Sequence, residues 1–312
     1  MRQRSVLILL CLCFFASAHS QITISIRKSF IDSFKNRVTI DANYEVYFAH
    51  KHPNTAVKDA DLHFAGYDRA IGMPIVAEVM NAKDQDAAVD LIHQKEGHGA
   101  PQEKLKLSGV WRLWCEHPGE IEEFKQGKKI AIENTNPPHV FEIHPVTKVG
   151  DINVTNSLHH IEGFKYKDAE DAFSRYSNLR SRISKKGKFV LIETNGIGYN
   201  YVDFWIQLNT TQKQVVSDGL FVFCTIYQSG FDPQEEDQGD LISHKMRIGF
   251  IKNSELFNKV KTMKKGQFLH VVGIPRIALN LIAWRIEHAN NNPEALQWNL
   301  PFEMIAVGEI KE

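Results

Sequence analysis

The chain has 312 residues with 37 basic and 37 acidic side chains, so its formal net charge at neutral pH is zero. Without a global basic field, strong non-specific binding to nucleic acid is not expected, although local patches are compatible with this composition. There are four cysteines, and only Cys115 and Cys224 lie beyond the first 20 residues. This number excludes a disulfide-rich scaffold.

The first 20 residues predict a cleaved secretory signal. Arg2 and Arg4 form a basic segment, residues 6–16 are apolar, and small residues at 16–20 offer a cleavage site. The apolar run is shorter than the roughly 20 residues that a membrane-spanning helix needs. We therefore expect the mature protein to be soluble, without a membrane span, and secreted or periplasmic.

The first part of the mature chain predicts mainly β structure. Alternating isoleucines at positions 22, 24 and 26 favour a short strand, followed by a short helix before residue 40. The next segments follow the order of three strands, a helix and two strands. They are predicted at 44–49, 61–67, 73–80, 84–95 (the helix), 105–115 and 140–149, with a weaker strand at 130–132.

The second part of the chain repeats this order after a helix predicted at 168–184. Its segments are predicted at 189–193 (running on irregularly to 208), 220–227, 246–251, 254–264 (a helix), 268–274 and 302–309. Residues 276–286 are predicted to extend or bend the fourth strand. The residue-level similarity of the two halves is slight, so the repeat is one of pattern.

Three strands, a helix and two strands are the element order of the OB-fold, a small five-stranded barrel. The sequence therefore predicts two tandem OB-fold-like five-stranded barrels, each with one helix between strands three and four. We place the first domain at 21–160, a connector helix at 161–187 and the second domain at 188–312. Such barrels commonly bind oligosaccharides, nucleic acids or protein partners.

Ten of the thirteen histidines beyond residue 20 lie between His50 and His160. In a barrel, the loops after strands one and four border the ligand face, and both would carry histidines. Two tryptophans with an arginine between them, in the fourth strand, could stack on bases or sugars, or else one ring is buried. The candidate ligand-binding residues are therefore His50, His52, Trp111, Arg112, Trp114 and His117.

Five carboxylate and histidine side chains are predicted to share one face of the first barrel, because alternate strand residues point the same way. Imidazole and carboxylate together suit a divalent metal such as zinc or manganese. The alternative is that the histidines donate hydrogen bonds to nearby oxygens and stabilise the barrel. The candidate metal ligands are Asp61, His63, Glu78, Glu142 and His144.

Three motifs carry a resemblance to a known group of proteins: Asp59-Ala-Asp61-Leu-His63, Glu78 in an apolar strand, and Glu142-Ile-His144-Pro145-Val146. They resemble Asp-Gly-Asp-x-His, Ala-Glu and Glu-Leu-His-Pro-Val motifs of short exported bacterial proteins of unassigned function. The resemblance covers about residues 59–149 and departs from those proteins at Ala60, in longer insertions and in the second domain. It implies export, a bacterial origin and a small β domain, and no activity.

Asp59-x-Asp61 is also similar to the metal-binding Asp-Gly-Asp motif of staphylococcal-nuclease-like OB barrels. Such an enzyme needs arginines for the phosphate and a carboxylate base, and Arg69, Glu78 and Arg112 are the candidate residues. Ala60 and His63 depart from that motif. This comparison therefore gives an alternative hypothesis and not an assignment.

Two function hypotheses follow from the sequence. The leading one is an exported soluble binding protein whose ligand is an oligosaccharide, a nucleic acid or a protein. The alternative is a metal-dependent hydrolase of the phosphodiesterase or nuclease type that uses the five candidate metal ligands. Loss of activity in a folded variant of His63 or His144 would distinguish the hydrolase from a binding module.

Overall fold

The computed structural model describes residues 21–99, 103–234, 241–289 and 297–311. The predicted signal, residues 1–20, lies outside the described residues. Within them the chain is mainly β. The strands are β1 (Gln21–Arg27), β2 (Thr39–Ala49), β3 (Leu62–Tyr67), β4 (Pro74–Val79), β5 (Lys104–His117), β6 (Glu123–Lys125), β7 (His139–Val149), β8 (Ile152–Asn153), β9 (Lys167–Asp168), β10 (Arg180–Lys186), β11 (Phe189–Asn195), β12 (Val202–Leu208), β13 (Gln214–Val216), β14 (Gly219–Tyr227), β15 (Leu241–Ile251), β16 (Phe268–Ile277), β17 (Gln297–Asn299) and β18 (Phe302–Glu309).

Five α-helices accompany these strands in the described part of the chain. They are α1 (Lys28–Phe34), α2 (Asp86–Lys95), α3 (Ala169–Asn178), α4 (Glu255–Thr262) and α5 (Leu279–His288). No helix among the described residues is long and apolar enough to cross a membrane.

The first barrel consists of β2, β3, β4, β5 and β7. Neighbouring strands pair in the order β4-β3-β2-β5-β7, and a parallel pairing between β4 and β7 closes the sheet. Helix α2 follows the third barrel strand. Antiparallel neighbours closed by a parallel pair between strands three and five form a five-stranded OB-type barrel, as the sequence predicts.

The second barrel has the same topology. Its strands follow the order β14-β15-β18-β16-β12, pairing of β12 with β14 closes it, and β15 and β18 are the parallel pair. Helix α4 lies between strands three and four, with Ser254 accepting a hydrogen bond from the Phe257 amide at its start. The predicted fold, two tandem five-stranded barrels, is confirmed.

A third sheet lies outside both barrels and was not predicted. Its strand order is β17-β10-β11-β1-β6, and β1 pairs antiparallel with β11 and parallel with β6. The segment 189–193, predicted as the first strand of the second barrel, belongs to this sheet. The barrel begins instead at β12. Alternation indicates that a segment is extended but not which strand it pairs with, and this explains the error.

Three further predictions are wrong at the level of single elements. The helix predicted to reach residue 184 ends at Asn178, because the next residues alternate between buried and exposed and form β10. Of residues 276–286, predicted to extend or bend the fourth strand, only 276 and 277 belong to β16, and from Leu279 the chain forms helix α5, with Leu279, Ile282 and Ala283 buried at helical spacing. Residues 130–132 do not form a strand.

The two barrels are connected by buried arginines. The Arg276 guanidinium on β16 lies 3.7 Å from the centre of the Trp111 ring and donates to the carbonyls of Val38 and Trp111 at 3.0 and 3.2 Å. Glu303 on β18 accepts from Arg276 Nε at 2.9 Å. In the opposite direction, Arg112 Nε on β5 donates to the Pro275 carbonyl at 3.0 Å.

Candidate functional site

The turn before β3 positions the first two carboxylates of the site. Asp59 and Ala60 have positive φ angles of 140° and 57°. Asn54 Nδ2 donates to Asp59 Oδ1 at 2.8 Å, and the Asp61 amide donates to the same oxygen at 3.3 Å. The positive φ of Ala60 is a conformation that glycine adopts readily, and glycine is the residue of the similar motifs at this position. The turn buries Asp61 completely.

Strand register brings the other predicted ligands to the same end of the barrel. His63 on β3 is the direct antiparallel partner of Glu78 on β4. In the parallel pair of β4 and β7, Val76 lies opposite Glu142, so Glu78 and His144 follow two residues later on the same face. All five predicted metal ligands therefore lie in one cluster.

Glu78 lies at the centre of this cluster. Its Oε2 atom is 3.3 Å from His63 Nε2 and 3.2 Å from His144 Nδ1. His144 Nδ1 is also 3.5 Å from Glu142 Oε2, and His144 Nε2 is 3.4 Å from Asp61 Oδ2. Each imidazole therefore contacts at least one carboxylate.

Two overlapping groups of these side chains have the spacing of metal ligands. Asp61, Glu78 and His144 form an inner group that is fully buried, and Asp59, Asp61 and His63 form an outer group. In each group the ligand atoms lie within 4.8 Å of one another. Carboxylate oxygens with imidazole nitrogens suit zinc, manganese or iron.

Four buried atoms of the cluster lack a hydrogen-bond partner within the described ranges. They are Asp61 Oδ1, His63 Nε2, Glu78 Oε2 and His144 Nδ1. Their mutual approaches are close but not aligned as hydrogen bonds. An unsatisfied buried polar atom costs about 1–3 kcal/mol, so four in one place indicate a missing partner such as a cation. The residues present therefore fit a bound metal ion.

Tyr201, at the start of the second barrel, completes the site from outside. Its hydroxyl donates to Asp61 Oδ2 at 2.7 Å and lies 2.8 Å from His144 Nε2. Because the only hydroxyl hydrogen goes to Asp61, the Tyr201 oxygen is left to accept from Nε2–H of His144. Tyr201 is not among the residues predicted from the sequence, since it lies 140 positions from Asp61.

The carboxylates strongly perturb the titration of both imidazoles. Burial alone lowers the pKa of His144, but Glu78, Asp61 and Glu142 outweigh burial and raise this pKa to about 10. His63 behaves in the same way, with Glu78 and Asp59 raising its pKa to about 9. Burial raises the pKa of Glu78 to about 7 against the opposing effect of both histidines. A metal ion must therefore displace protons from the imidazoles.

Glu142 is also held by a second set of groups. Burial favours a higher pKa for Glu142, but Arg112, His139 and His144 outweigh burial and hold that pKa well below its usual range. Arg112 Nη1 donates to Glu142 Oε2 at 2.5 Å, and His139 Nε2 lies 3.3 Å from Oε1. Glu142 is thus a partner of Arg112 at the edge of the candidate metal site.

The predicted stacking residues of β5 are not on the surface. Trp111, Arg112 and Trp114 are buried, so they offer no face to a base or sugar. Trp111 packs under Arg276, and Trp114 packs edge-on against Tyr176. Two tryptophans three apart face opposite sides of a strand, and both sides of β5 are covered here, one by the barrel interior and the other by neighbouring elements.

The three predicted rim histidines lie at two separate places. His50 stacks on His63 at a ring separation of 5.2 Å, next to the outer group, and His52 is exposed in the same loop. His117 stacks on buried His139 at 5.2 Å, next to Glu142. Stacked imidazoles therefore lie near both the Glu78 and the Glu142 sides of the cluster.

Comparisons with known proteins give only distant likenesses. No protein-family model matches the chain, and no curated protein matches it. A deletion mutant of the single-stranded DNA binding protein from Thermus aquaticus matches 77% of this chain and 85% of its own, at 10% identity and a TM-score of 0.18. A structure described as "Structural mimicry for functional antagonism" matches 77% of this chain and 87% of its own, at 9% identity and a TM-score of 0.17. At these TM-scores neither likeness indicates a function for this chain.

Proposed function

We propose that the first barrel binds a divalent metal ion through Asp61, Glu78 and His144. These three side chains are fully or almost fully buried. The observation that supports the proposal is that each of them has one oxygen or nitrogen atom, a potential metal ligand, without a hydrogen-bond partner in the described part of the chain. Two carboxylates also balance the charge of one divalent cation. Zinc and manganese are the candidate metals, since both accept this mixture of ligands.

Tyr201 fixes the tautomer in which His144 can bind a metal ion. With Nε2–H donated to the Tyr201 oxygen, a neutral His144 has its lone pair on Nδ1, which is the atom that faces Glu78. A hydrogen bond on the distal nitrogen of a ligating histidine fixes its tautomer and its orientation. The hydroxyl of Tyr201 orients Asp61 in the same way.

The test is the metal content of the chain from residue 21 onward, measured by elemental analysis after incubation with zinc or manganese and removal of excess metal. We expect near-stoichiometric metal in the wild type and loss of metal in Glu78→Gln and His144→Asn variants that remain folded by circular dichroism. His270→Asn, in the second barrel, is the matched control and should retain the metal. Metal-free wild-type protein would contradict the proposal.

A metal-dependent hydrolase is the activity that such a site could support. A bound divalent ion lowers the pKa of a coordinated water and so supplies a nucleophile at neutral pH. Asp59 and His63 have exposed side-chain fractions of 19% and 17%, so the outer side of the cluster is partly exposed to solvent, whereas the inner side is buried. Metal-loaded protein should cleave an activated phosphodiester such as bis-(p-nitrophenyl) phosphate, and equal rates for wild type and Glu78→Gln would exclude this activity.

A second candidate function, ligand binding, is favoured by a groove on the second barrel. The groove has a volume of about 690 Å³ and lies along β14, β15 and the loop after β12. Among the described residues that line it, three are basic and none is acidic: Asn209, Thr210, Gln212, Lys213, Gln214, Phe221, Val222, Phe223, Lys245 and Arg247. The face of strands two and three is the one that OB barrels use for binding.

Phe223 makes this groove suitable for a single-stranded oligonucleotide. Its ring is 44% exposed, and Lys245 Nζ lies 4.8 Å from the ring centre. A base can stack on such a ring while lysines contact the phosphates. In fluorescence anisotropy with a labelled oligonucleotide at low salt, Phe223→Ala and Lys245→Ala should weaken binding and Lys188→Ala should not. The same protein is screened in parallel against glycans and candidate protein partners. Binding in that screen, with no binding of the oligonucleotide, would indicate a glycan or a protein as the ligand.

We also propose that residues 1–20 direct export. The basic, apolar and small-residue segments of the sequence support this proposal. So does the resemblance of the motifs at residues 59–63, at Glu78 and at residues 142–146 to those of short exported bacterial proteins. The amino terminus of protein recovered from the periplasm or the medium should lie near residue 21. Recovery from the cytoplasm with Met1 intact would contradict export.

A further inference from the structure

We propose that the first barrel holds two metal ions, an inner one at His144 and an outer one at His63, with Asp61 and Glu78 shared between them. This inference rests on the proposed function, because it requires the inner metal. The inner and outer groups of potential ligands both contain Asp61. One buried carboxylate with two oxygens can bridge two ions, and its Oδ1 atom has no hydrogen-bond partner among the described residues.

Glu78 gives the second, independent indication. One of its oxygens, Oε2, is nearly equidistant from two imidazole nitrogens, His144 Nδ1 at 3.2 Å and His63 Nε2 at 3.3 Å. All three atoms are buried and lack hydrogen-bond partners within the described residues. A single metal ion at His144 leaves Nε2 of His63 unsatisfied. A second ion at His63 would bind this nitrogen. Glu78, which lies between the two histidines, would then be a ligand of both ions.

The outer ligands are oriented by contacts within the protein. Both hydrogen bonds to Asp59, from Asn54 Nδ2 and from the Asp61 amide, go to Oδ1. Oδ2 remains directed at His63, at 3.8 Å from Nε2. The ring of His50 stacks on His63 with an interplanar angle of 3° and holds its orientation. Asp59, Asp61, His63 and Glu78 therefore form a set of ligands for a second ion.

The full set of ligands matches a known type of dinuclear centre. Two histidines with four carboxylates hold paired iron or manganese ions in carboxylate-bridged proteins. Here the histidines are His63 and His144, and the carboxylates are Asp59, Asp61, Glu78 and Glu142. Glu142 already pairs with Arg112. We therefore place Glu142 beside the inner ion, at the edge of its ligand set. The competing arrangement is one metal ion with a proton on His63.

The test is the number of manganese ions bound by metal-free protein, from isothermal titration and elemental analysis, together with electron paramagnetic resonance. We expect two equivalents in the wild type and an exchange-coupled spectrum, because the ions share carboxylates. Asp59→Asn, which preserves side-chain shape, should bind one equivalent and give an uncoupled spectrum. Asp151→Asn, a fully exposed carboxylate, is the matched control and should bind two.

The outcomes separate this inference from the proposed function. One equivalent in both wild type and Asp59→Asn overturns the second ion and leaves the inner metal in place. Two equivalents in both proteins overturn the assignment of Asp59 as an outer ligand. No manganese in the folded wild type overturns the inference and, if zinc is also absent, the proposed function. If Asp59→Asn does not fold, His63→Gln is measured in its place. It removes another outer ligand and should also bind one equivalent.

Discussion

The hydroxyl of Tyr201 links two groups of the candidate site in the first barrel, one in the turn before β3 and the other on β7. It donates to Asp61 and accepts from His144, although Tyr201 itself belongs to the segment that enters the second barrel. The ring packs edge-on against His144 at 5.2 Å. The ring of Tyr201 therefore packs while its hydroxyl forms the hydrogen bonds, and a substitution that removes only the hydroxyl tests the hydrogen bonds alone.

We predict that Tyr201→Phe keeps the packing and weakens metal binding by roughly 10- to 100-fold, the usual effect of losing a hydrogen-bonded neighbour of a ligand. The reason is that Asp61 and His144 lose the group that orients them. Competition with a metal indicator measures the affinity. Tyr227→Phe, which removes a hydroxyl contact with Gln207 in the second barrel, should leave the affinity unchanged. Equal affinities for Tyr201→Phe and wild type would refute the prediction.

The residues of the candidate site that could be predicted carry a local signal: two polar residues two positions apart in an extended segment, or an acidic residue, Glu78, within an apolar run. Asp61 with His63, and Glu142 with His144, are two positions apart, and alternation alone places such pairs on one face. Tyr201 could not be predicted, because its contact depends on how the second barrel packs against the first. The burial of Trp111 depends on the same packing, because Arg276 of the second barrel lies against its ring.

At the scale of elements, the turn between β13 and β14 is attached to the start of β2. Asp218 accepts hydrogen bonds from Arg37 Nε at 2.8 Å and from the amide and hydroxyl of Thr39 at 2.8 and 3.0 Å. Burial favours a higher pKa for Asp218, but these hydrogen bonds outweigh burial and lower its pKa. The carboxylate form therefore stabilises the folded chain.

We predict that Asp218→Asn lowers the free energy of unfolding at pH 7 by about 1–3 kcal/mol, because a part-buried acceptor loses the charge that strengthens its three hydrogen bonds. A lowered pKa contributes stability above the unfolded value, near pH 4, and this contribution is lost as the pH falls through the folded pKa. The difference between variant and wild type should therefore shrink at acid pH. Urea unfolding at pH 7 and near pH 3 measures it, with Asp151→Asn as a control that shows no difference.

Except for β12, the first strand of the second barrel, the elements of both barrels could be predicted because each has a clear local pattern in the same order. The third sheet could not, since it combines the β10–β11 hairpin with three strands from distant parts of the chain, and no local pattern indicates which strands pair. Helix α5 was missed because it follows directly on the end of β16, where an apolar run can be read as a longer strand.

At the scale of the whole molecule, Arg276 makes the two barrels depend on one another. Its guanidinium is fully buried, pairs with Glu303 and donates to carbonyls of Arg37, Val38 and Trp111 in the first half of the chain. A lysine cannot supply this planar set of donors. Removing the group also leaves Glu303 with one fewer buried partner.

We predict that Arg276→Lys destabilises the protein by about 3 kcal/mol or more, the range for breaking a buried ion pair. Since Arg276 connects the barrels, we also expect calorimetric unfolding to change from one transition to two. Arg182→Lys, at an exposed pair with Glu193, is the control and should unfold like the wild type. A single unshifted transition in Arg276→Lys would show that the barrels are coupled by other contacts.

The position of β1 in the third sheet has a consequence for the order in which the chain folds. All strands of the first barrel have been synthesised once residue 149 has emerged, so this barrel can close while half of the chain is still missing. β1 must wait for β11, its antiparallel partner from residues 189–195. Until then β1 can pair only with the three-residue strand β6, so Ile22, Ile24 and Ile26, all fully buried in the complete fold, lie on a strand with one unpaired edge. The first segment of the described chain is therefore one of the last to be secured, and it is the part of a growing chain that most needs protection from aggregation.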